Sequence, residues 1–315
     1  MDRLVPPLRL VADYHFGWVD ADGADRGGGG GKLLRPALVL LSAAAADGPI
    51  ERAVPAAVAV ELVHNFSLLH DDLMDGDAER RHRPTAWAVF GIPHAVLAGD
   101  ALLALATDLL LEASAPGERW ELRSLTAAVQ QLIGGQIEDV RFERRLDVTV
   151  TEWLAMAAGK TSALLACAAS IGAIAVGGPG ALAAALADFG AHLGLAFQLV
   201  DDLLGIWGSP RVTGKPVLAD LRANKKSAPI VAALRAESPH ATRLAELLAP
   251  GGLRDEEDVV LAAKLVEAAG GREWAVREAE RQLAEALASL DRVTLPAAVR
   301  DDLVELARFV TARES

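Results

Sequence analysis

Long apolar stretches, with polar side chains recurring at helical intervals, run through most of this 315-residue chain. Alanine and leucine dominate these stretches, and only 4% of the residues are aromatic, which favours helices over sheets. Hydrophobic residues make up 52% of the chain, enough for a large core. The pattern predicts an all-α fold whose helices cover residues 1–19, 32–46, 52–76, 86–113, 119–140, 151–175, 182–206 and, with a break at 250–252, 228–315.

One apolar stretch is long enough to resemble a membrane span, because no charged residue occurs between Lys160 and Asp188. Glycines and a proline at 177–180 interrupt it, so we expect two helical halves shorter than the ~20 residues that a span requires. Two buried helices of a bundle, with no membrane span, are the better interpretation. The first residues alternate between charged and apolar types, so no secretory signal is expected either.

Composition limits which kinds of partner and which cellular compartment are expected for the protein. The formal net charge of −12 argues against a nucleic-acid partner and means that an anionic substrate needs a local basic pocket. A single cysteine, Cys167, excludes an intrachain disulfide and fits a reducing compartment, so we expect a cytoplasmic protein. Residues 20–31 end in five glycines and are predicted to be a flexible connector after a short N-terminal helix. At 315 residues, one large helical domain or two smaller ones are possible.

Two acidic clusters lie on apolar helices. Asp71, Asp72 and Asp75 close one helix, and at ~100° per residue Asp71 and Asp75 stand about 40° apart on one face. Asp201 and Asp202 form a pair inside another helix. One such cluster is usually a solvated helix end. Two of them can hold hard cations such as Mg²⁺, which takes oxygen ligands and often substrate phosphates, so the sequence suggests a diphosphate held by metal.

Basic residues accompany the first acidic cluster. Lys32 and Arg35 are three positions apart and can reach one ligand, although a solvated helix start has the same pattern. His64 lies seven positions before the first aspartate, on the same helix face. The charged segment after that helix, residues 77–85, is predicted to be a loop. Its arginines, among them Arg80 and Arg81, can form ion pairs within the chain or a fork for phosphate oxygens.

More positive charge accompanies the second acidic pair. Lys160 lies within an apolar helical stretch and needs a partner there, which a diphosphate would supply. Lys215 and Lys225 follow the aspartate pair in a turn-rich, basic segment. Gln136 and Asp139, which come after two glycines in another helix, are weaker candidates for a polar pocket.

In this order, the motifs resemble the trans-isoprenyl diphosphate synthase (polyprenyl synthetase) family. One acidic motif alone is weak, but the ordered set is highly specific and extends from residue 31 to residue 226, with a compatible helical tail. The resemblance implies an all-α single-domain bundle around a deep central cavity, usually assembled as a homodimer. The matching segments are Gly31-Lys32, Arg35-Pro36, His64 through Asp75, Arg80-Arg81, Pro84-Thr85, Lys160-Thr161, Phe197-Gln198, Asp201-Asp202, Gly214-Lys215 and Asp220 through Lys225.

The resemblance also implies a reaction. An allylic diphosphate ionises, isopentenyl diphosphate attacks the cation, and a proton is lost to the released pyrophosphate. Three Mg²⁺ ions are implied, with Mn²⁺ as a substitute. The implied metal ligands are Asp71, Asp75 and Asp201, supported by Asp72 and Asp202. The implied substrate contacts are Arg80, Lys160, Lys215 and Lys225 for the allylic diphosphate, Lys32, Arg35, His64 and Arg81 for isopentenyl diphosphate, and Thr161 and Gln198 for the cation.

Three positions depart from the family pattern. Gly205 stands where the second acidic motif commonly has a third aspartate, which could weaken one metal site or leave it with more water ligands. Leu33 replaces a commonly basic residue, and Asn224 replaces a frequent glycine. None of these changes removes a principal diphosphate contact, so the enzymatic interpretation holds.

The resemblance links product length to Phe66 and Ser67, which precede the first aspartate by about one turn. A bulky aromatic beside a small residue resembles the C20-producing members, whereas two adjacent aromatics would indicate C15. We therefore predict geranylgeranyl diphosphate, with farnesyl diphosphate as the second choice. On a regular helix Phe66 points away from the aspartate face, so geometry alone does not assign it this role, and packing against a neighbouring helix is the alternative.

Two other functions share the aspartate motifs. A class I terpene cyclase also ionises an allylic diphosphate but needs no isopentenyl site, so the full set of Lys32, Arg35, His64 and Arg81 favours elongation. A non-catalytic partner subunit would be expected to lose its acidic motifs, and both are present here.

Overall fold

The computed structural model describes residues 1–27, 33–114, 119–209, 217–249 and 253–312, and helices account for most of them. This confirms the predicted all-α fold. The helices are α1 (Pro6–Phe16), α2 (Leu34–Ala45), α3 (Val54–Met74), α4 (Ala86–Phe90), α5 (Ile92–Ala113), α6 (Trp120–Phe142), α7 (Val150–Ala157), α8 (Ala163–Ala175), α9 (Gly180–Trp207), α10 (Ala219–Arg222), α11 (Ala228–Leu234), α12 (Pro239–Leu248), α13 (Glu256–Ala268), α14 (Gly271–Leu290) and α15 (Ala297–Thr311). A 3₁₀ turn (Ile50–Ala53) precedes α3, a π-helical turn (Ala158–Ser162) joins α7 to α8, and a hairpin has the strands β1 (Glu79–Arg80) and β2 (Arg83–Pro84).

The chain divides into two compact units. The first comprises Met1–Ala127 and Cys167–Ala184, and the second comprises Ala128–Ala166 and Ala185–Ser315. The chain passes from one unit to the other within α6, α8 and α9. The assignment of residues 1–315 to a single domain stays a prediction.

The first unit is built on the packing of α3 against α5. Both helices have proline in their first turn, where no backbone N–H is needed as a donor. Val60, Val63 and Leu69 of α3 are at most 1% exposed, and burial of each side chain contributes roughly 1.5–3 kcal/mol. This packing fixes the helix whose last turn carries the first aspartate motif.

The second unit has two apolar clusters, one around Trp153 of α7 and one formed largely by α12 and α13. A capping box opens α7, because Glu152 N donates to Thr149 Oγ1 while Thr149 N donates to Glu152 Oε2. The Trp153 cluster includes Leu199 of α9 and Ala228 of α11. It therefore packs the helix of the second aspartate pair against its neighbours.

Three predictions about helix limits are wrong. The described residues of 228–315, predicted to be helical with one break at 250–252, form the five helices α11 to α15. The helix predicted over residues 86–113 is divided into α4 and α5 by Gly91, whose φ is +84°. The two apolar halves are also not short, since Val150–Ala175 has 26 residues and Gly180–Trp207 has 28. The segment at 177–180 ends one helix at a left-handed glycine and opens the next, and it shortens neither.

Four helical segments of the described chain are long and apolar enough to cross a membrane: Ile50–Met74, Ile92–Ala113, Val150–Ala175 and Gly180–Trp207. Their most apolar stretches are, in that order, 61%, 39%, 67% and 44% buried inside the protein. Packing within the fold therefore uses most of the apolar stretch in the first and third segments.

The N-terminal connector begins as a turn. Gly17 ends α1 in the left-handed conformation, with φ +81°. Val19 and Asp25 then form an antiparallel bridge, and Arg26 N donates to Trp18 O at 2.9 Å. The chain thus folds back on the end of α1, and the glycines at 28–31 lie outside the described residues.

Candidate active site

The first aspartate motif forms the last turn of α3. Asp75 caps the helix, and its backbone N–H donates to Asp71 O at 2.8 Å. Asp71 and Asp75 are partly exposed, whereas Asp72 is only 2% exposed. Two carboxylates of the motif therefore reach solvent, and the third is turned into the protein.

Asp72 holds the hairpin that follows α3. Arg80 Nε donates to Asp72 Oδ1 at 2.6 Å. The other carboxylate oxygen, Asp72 Oδ2, is buried and has no hydrogen-bond donor among the described residues. Burial raises the pKa of Asp72 to about 6, and the attraction of Arg80 opposes that shift. A buried carboxylate oxygen without a donor fits a neighbouring cation.

The acidic residues fit a metal that is completed by its substrate. Within the described ranges, no group of three His, Cys, Asp or Glu side chains forms a ready-made metal centre. Mg²⁺ commonly binds to one or two carboxylates and fills its other positions with waters and substrate phosphates. Asp71 and Asp75 at the surface, with Asp72 Oδ2 behind them, suit that mode of binding.

The segment predicted to be a loop after α3 is a tight β-hairpin. Its strands pair antiparallel, and the two turn residues, Arg81 and His82, have φ of +52° and +60°. Two consecutive left-handed residues are typical of a type I′ turn, which usually contains asparagine or glycine. Residues of other types held at positive φ are concentrated at functional sites. The side chain of Arg81 forms no hydrogen bond or ion pair to the described residues.

The residues predicted to bind isopentenyl diphosphate share one electrostatic environment in the first unit. His64 is partly buried on α3, and burial together with Arg35, Arg81 and Arg80 holds the pKa of its imidazole well below the usual range. Three guanidinium groups around one neutral imidazole make the local potential positive. This potential suits an anion. Lys32, the remaining member of the predicted set, lies outside the described residues.

In the second unit, the π-helical turn presents Lys160 toward α6. Lys160 Nζ bonds Asp139 Oδ2 at 2.5 Å. The turn approaches α6 so closely that a Cβ on Gly135 would overlap the backbone of Lys160. Asp139, only a weaker candidate in the sequence, is thus the partner that Lys160 requires within the protein. The glycine before Gln136 was the signal for this close approach.

A chain of hydrogen bonds joins Thr161 to the second aspartate pair. Thr161 Oγ1 donates to Gln198 Oε1 at 2.6 Å, and Gln198 Nε2 donates to Asp202 Oδ1 at 2.9 Å. Asp202 Oδ2 accepts from Ala228 N at 2.6 Å, at the start of α11. Burial raises the pKa of Asp202 to about 8, whereas Asp201 is exposed. Asp202 therefore positions its neighbours, and Asp201 is the member of the pair that faces solvent.

Another carboxylate lies beside the glycine that replaces a third aspartate. A Cβ at Gly205 would overlap the side chain of Asp220. An aspartate at position 205 would have to displace Asp220 and would add a like charge next to it. The departure from the family motif is therefore matched by a carboxylate from a different segment of the chain.

The basic segment after α10 explains a second departure. Asn224 has φ +52°, a left-handed conformation that asparagine tolerates better than most residues. Its carbonyl and side-chain oxygens accept from Lys226 Nζ at 2.9 and 3.0 Å. The Lys225 side chain is partly buried, and the backbone N–H of Lys225 donates to Asp220 O at 2.9 Å. Lys215 lies outside the described residues.

These features define a class of protein: an all-α fold whose helices carry two aspartate motifs accompanied by cationic side chains. Over 317 aligned residues, which cover all of this chain, it is 47% identical to a geranylgeranyl diphosphate synthase of Mycobacterium tuberculosis, of which 89% is covered. It is 45% identical to a (2E,6E)-farnesyl diphosphate synthase of the same organism over the same length, with 88% of that protein covered.

A solved structure is also similar to this chain. The polyprenyl synthetase of Streptomyces coelicolor A3(2) has a TM-score of 0.92 and 52% identity, covering 98% of this chain and 93% of that one. The polyprenyl synthetase family model matches residues 26–266. The chain belongs to the polyprenyl synthetase family. It is a trans-prenyl diphosphate synthase, and therefore a transferase, as the sequence predicted.

Proposed function

We propose that this transferase condenses isopentenyl diphosphate with an allylic diphosphate in a Mg²⁺-dependent reaction, and that geranylgeranyl diphosphate is its main product. The proposal for product length depends on one observation, the pairing of a buried Phe66 with the small Ser67 just before Asp71. Farnesyl diphosphate is the second candidate, because one of the two mycobacterial relatives carries that product in its name.

Separate groups of cations would bind the two diphosphates. Arg35, His64 and Arg81, with Lys32, would hold isopentenyl diphosphate, and the positive potential around His64 supports this. A fixed diphosphate orients the double bond, so the coupling becomes effectively intramolecular. The allylic diphosphate would be bound by Arg80, Lys160, Lys215 and Lys225.

Metal would assist departure of the pyrophosphate. When bound, Mg²⁺ supplies positive charge that stabilises the leaving group and so favours ionisation at C1. We propose three ions, with Mn²⁺ able to substitute. The residues that would hold them are Asp71, Asp75 and Asp201, with Asp72 and Asp202 as supports.

Thr161 and Gln198 would face the carbocation. Since Thr161 donates its hydroxyl proton to Gln198 Oε1, lone pairs of its oxygen are left for the developing positive charge. The bond from Gln198 Nε2 to Asp202 fixes the orientation of that amide. The released pyrophosphate, held by the same cations, would accept the final proton.

Phe66 and Ser67 lie on different faces of α3. The Phe66 ring meets the His70 ring edge-on at 4.9 Å, and His70 Nε2 lies 3.1 Å from Val96 O of α5, so Phe66 packs on the α5 side. Ser67 Oγ donates to His64 O at 2.8 Å and adds little bulk to the aspartate face. For Phe66 to limit the product, a growing chain that passes Ser67 would have to turn toward the α5 side and reach the Phe66 ring.

Substitutions at these two positions are expected to change the product in opposite directions. Phe66→Ala removes bulk and should lengthen the main product, while Ser67→Phe fills the path and should shorten it. Ser67→Ala, which alters little volume, is the matched control and should leave the length unchanged. Chromatography of the dephosphorylated products, made with and without Mg²⁺, measures their chain lengths.

If chain lengths are unaltered in both test variants, this account of the product limit is wrong. Loss of thermal stability in Phe66→Ala without a change of product would mean that Phe66 only packs against α5. A main product of farnesyl diphosphate in the wild type would reject the first choice of product and favour the second.

We further propose a cytoplasmic homodimer that does not span a membrane. Cys167 is buried, with Ser124 Oγ 3.5 Å from its sulfur, and burial raises the pKa of the thiol to about 11, which suits a permanently reduced packing residue. The charged site residues on α3 and α9 support a non-spanning protein. The homodimer is proposed from the family resemblance alone.

A further inference from the structure

A cavity of about 190 Å³ lies in the first unit beside the hairpin. Its walls come from two parts of the chain, the end of α1 with the turn after it and the hairpin with the end of α3. The charged and titratable residues that line it are His15, Arg26, Asp72, Arg80, Arg81 and Arg83. The motif-based assignment of the site includes residues from the hairpin and α3, and none from α1.

Arg83 fastens α1 to the hairpin. Its two terminal nitrogens donate to Tyr14 O at 3.3 Å and Val19 O at 3.2 Å, and its guanidinium lies 4.3 Å from the centre of the Tyr14 ring. In return, the Tyr14 hydroxyl donates to Pro84 O at 2.9 Å. These contacts place the residue after Tyr14, His15, at a fixed position on the cavity wall.

His15 is a neutral imidazole in a positive environment. Burial and the nearby Arg80, Arg81 and Arg83 lower its pKa to about 3. A hydrogen bond to the side chain of Asn65 opposes the shift. Arg80 is paired with Asp72, while Arg26 and Arg83 lie 2.9 and 3.9 Å from Asp20. The four arginines that line the cavity thus have two carboxylates as partners in the described part of the chain, and the cavity retains a net positive charge.

The side-chain amide of Asn65 determines which ring nitrogen of His15 is available to a ligand. Both amide hydrogens of Asn65 are directed to Glu61, since Nδ2 lies 2.8 Å from Glu61 O and 3.0 Å from Glu61 Oε1. The oxygen is therefore the part of the Asn65 amide that can accept the N–H of the His15 ring. The second ring nitrogen, which has only a lone pair in the neutral ring, is left for a ligand, and it accepts the proton of a phosphate group that carries one.

We propose that His15 is a further binding residue for the diphosphate of isopentenyl diphosphate, supplied by α1 and held in place by Arg83 and Asn65. The inference rests on the proposed function. Two observations carry it: His15 lines the cavity together with Arg81, and Arg81 lacks an ion-pair partner among the described residues.

The test compares His15→Ala and His15→Gln with the wild type, and uses His94→Ala as the matched control, because His94 is exposed on α5. A hydrogen bond to a charged group is worth about a factor of ten or more in affinity. His15→Ala should therefore raise KM for isopentenyl diphosphate about tenfold, with kcat and KM for the allylic substrate little changed. His15→Gln, which keeps a side-chain acceptor, should recover part of the loss, and His94→Ala should match the wild type.

Calorimetric titration of each protein with isopentenyl diphosphate alone, without allylic substrate, separates this inference from the proposed function. Weaker binding to His15→Ala supports it even if no condensation is detected, in which case the proposed function fails by itself. Unchanged binding and KM in His15→Ala, with or without a lower melting temperature, would overturn it. If His15→Ala does not fold, the same comparison made with His15→Gln decides, and an affinity equal to that of the wild type would reject a role for the imidazole.

Discussion

Asp71→Ala and Asp75→Ala are each expected to lower kcat on the order of a hundredfold or more, because each removes a carboxylate proposed to hold the metal that stabilises the leaving group. Both side chains are partly exposed at the end of α3, so the fold should survive either change. Steady-state turnover at saturating substrates, measured over a range of Mg²⁺ concentrations, checks the expectation. Raised Mg²⁺ should restore part of the activity if the loss is one of metal affinity.

Asp301→Ala is the matched control, since Asp301 is an exposed helical aspartate on α15. It should have wild-type turnover at every Mg²⁺ concentration. If Asp71→Ala and Asp75→Ala both remain near the wild type at saturating Mg²⁺, the metal assignment of the first motif is wrong.

Arg80→Ala is expected to destabilise the protein more at pH 7.5 than at pH 5. Asp72 is buried and its pKa is raised from 3.8 to about 6, so its contribution to stability is full below pH 3.8 and is lost as the pH rises through about 6. Arg80 lowers that pKa by charge and by hydrogen bonding. Without Arg80 the pKa rises further, and a buried carboxylate stays unpaired at neutral pH.

The expected loss at pH 7.5 is about 2 kcal/mol, less than the ~3–5 kcal/mol of a fully buried pair, because Arg80 is 31% exposed. Melting temperatures in metal-free buffer at the two pH values measure it. Arg141→Ala is the control: Arg141 pairs with Glu138 at the surface, where such pairs contribute about 0–1 kcal/mol. Equal losses for Arg80→Ala at both pH values would show that Asp72 does not depend on Arg80.

Residue spacing predicted the local geometry of those candidate site residues that lie on regular helices. The angular spacing of Asp71 and Asp75 matches two partly exposed carboxylates with a buried Asp72 between them. Thr161 and Gln198, 37 positions apart, were grouped by family motif and are hydrogen-bonded. Their ligand contacts stay predictions.

Contacts that depend on backbone geometry could not be predicted from the sequence. Arg81 and His82 take left-handed conformations that their residue types do not indicate, so the hairpin was predicted to be a loop. Arg83 binds backbone carbonyls of Tyr14 and Val19, and such an acceptor leaves no trace in residue identity. Residue identity did not indicate a role for His15 either, because its neighbours come close to it only when α1 packs against the hairpin.

Initial-rate kinetics with both substrates varied, on the wild type, Arg35→Ala and Lys160→Ala, directly test whether two separate cationic groups bind the two diphosphates. We expect no prenyl product without isopentenyl diphosphate, and a rise of about 10–100-fold in one Michaelis constant for each variant, from the loss of a charged hydrogen bond. Arg35→Ala should raise KM for isopentenyl diphosphate, and Lys160→Ala should raise KM for the allylic substrate. A change in the same constant for both variants, or conversion of the allylic diphosphate alone, would contradict the account.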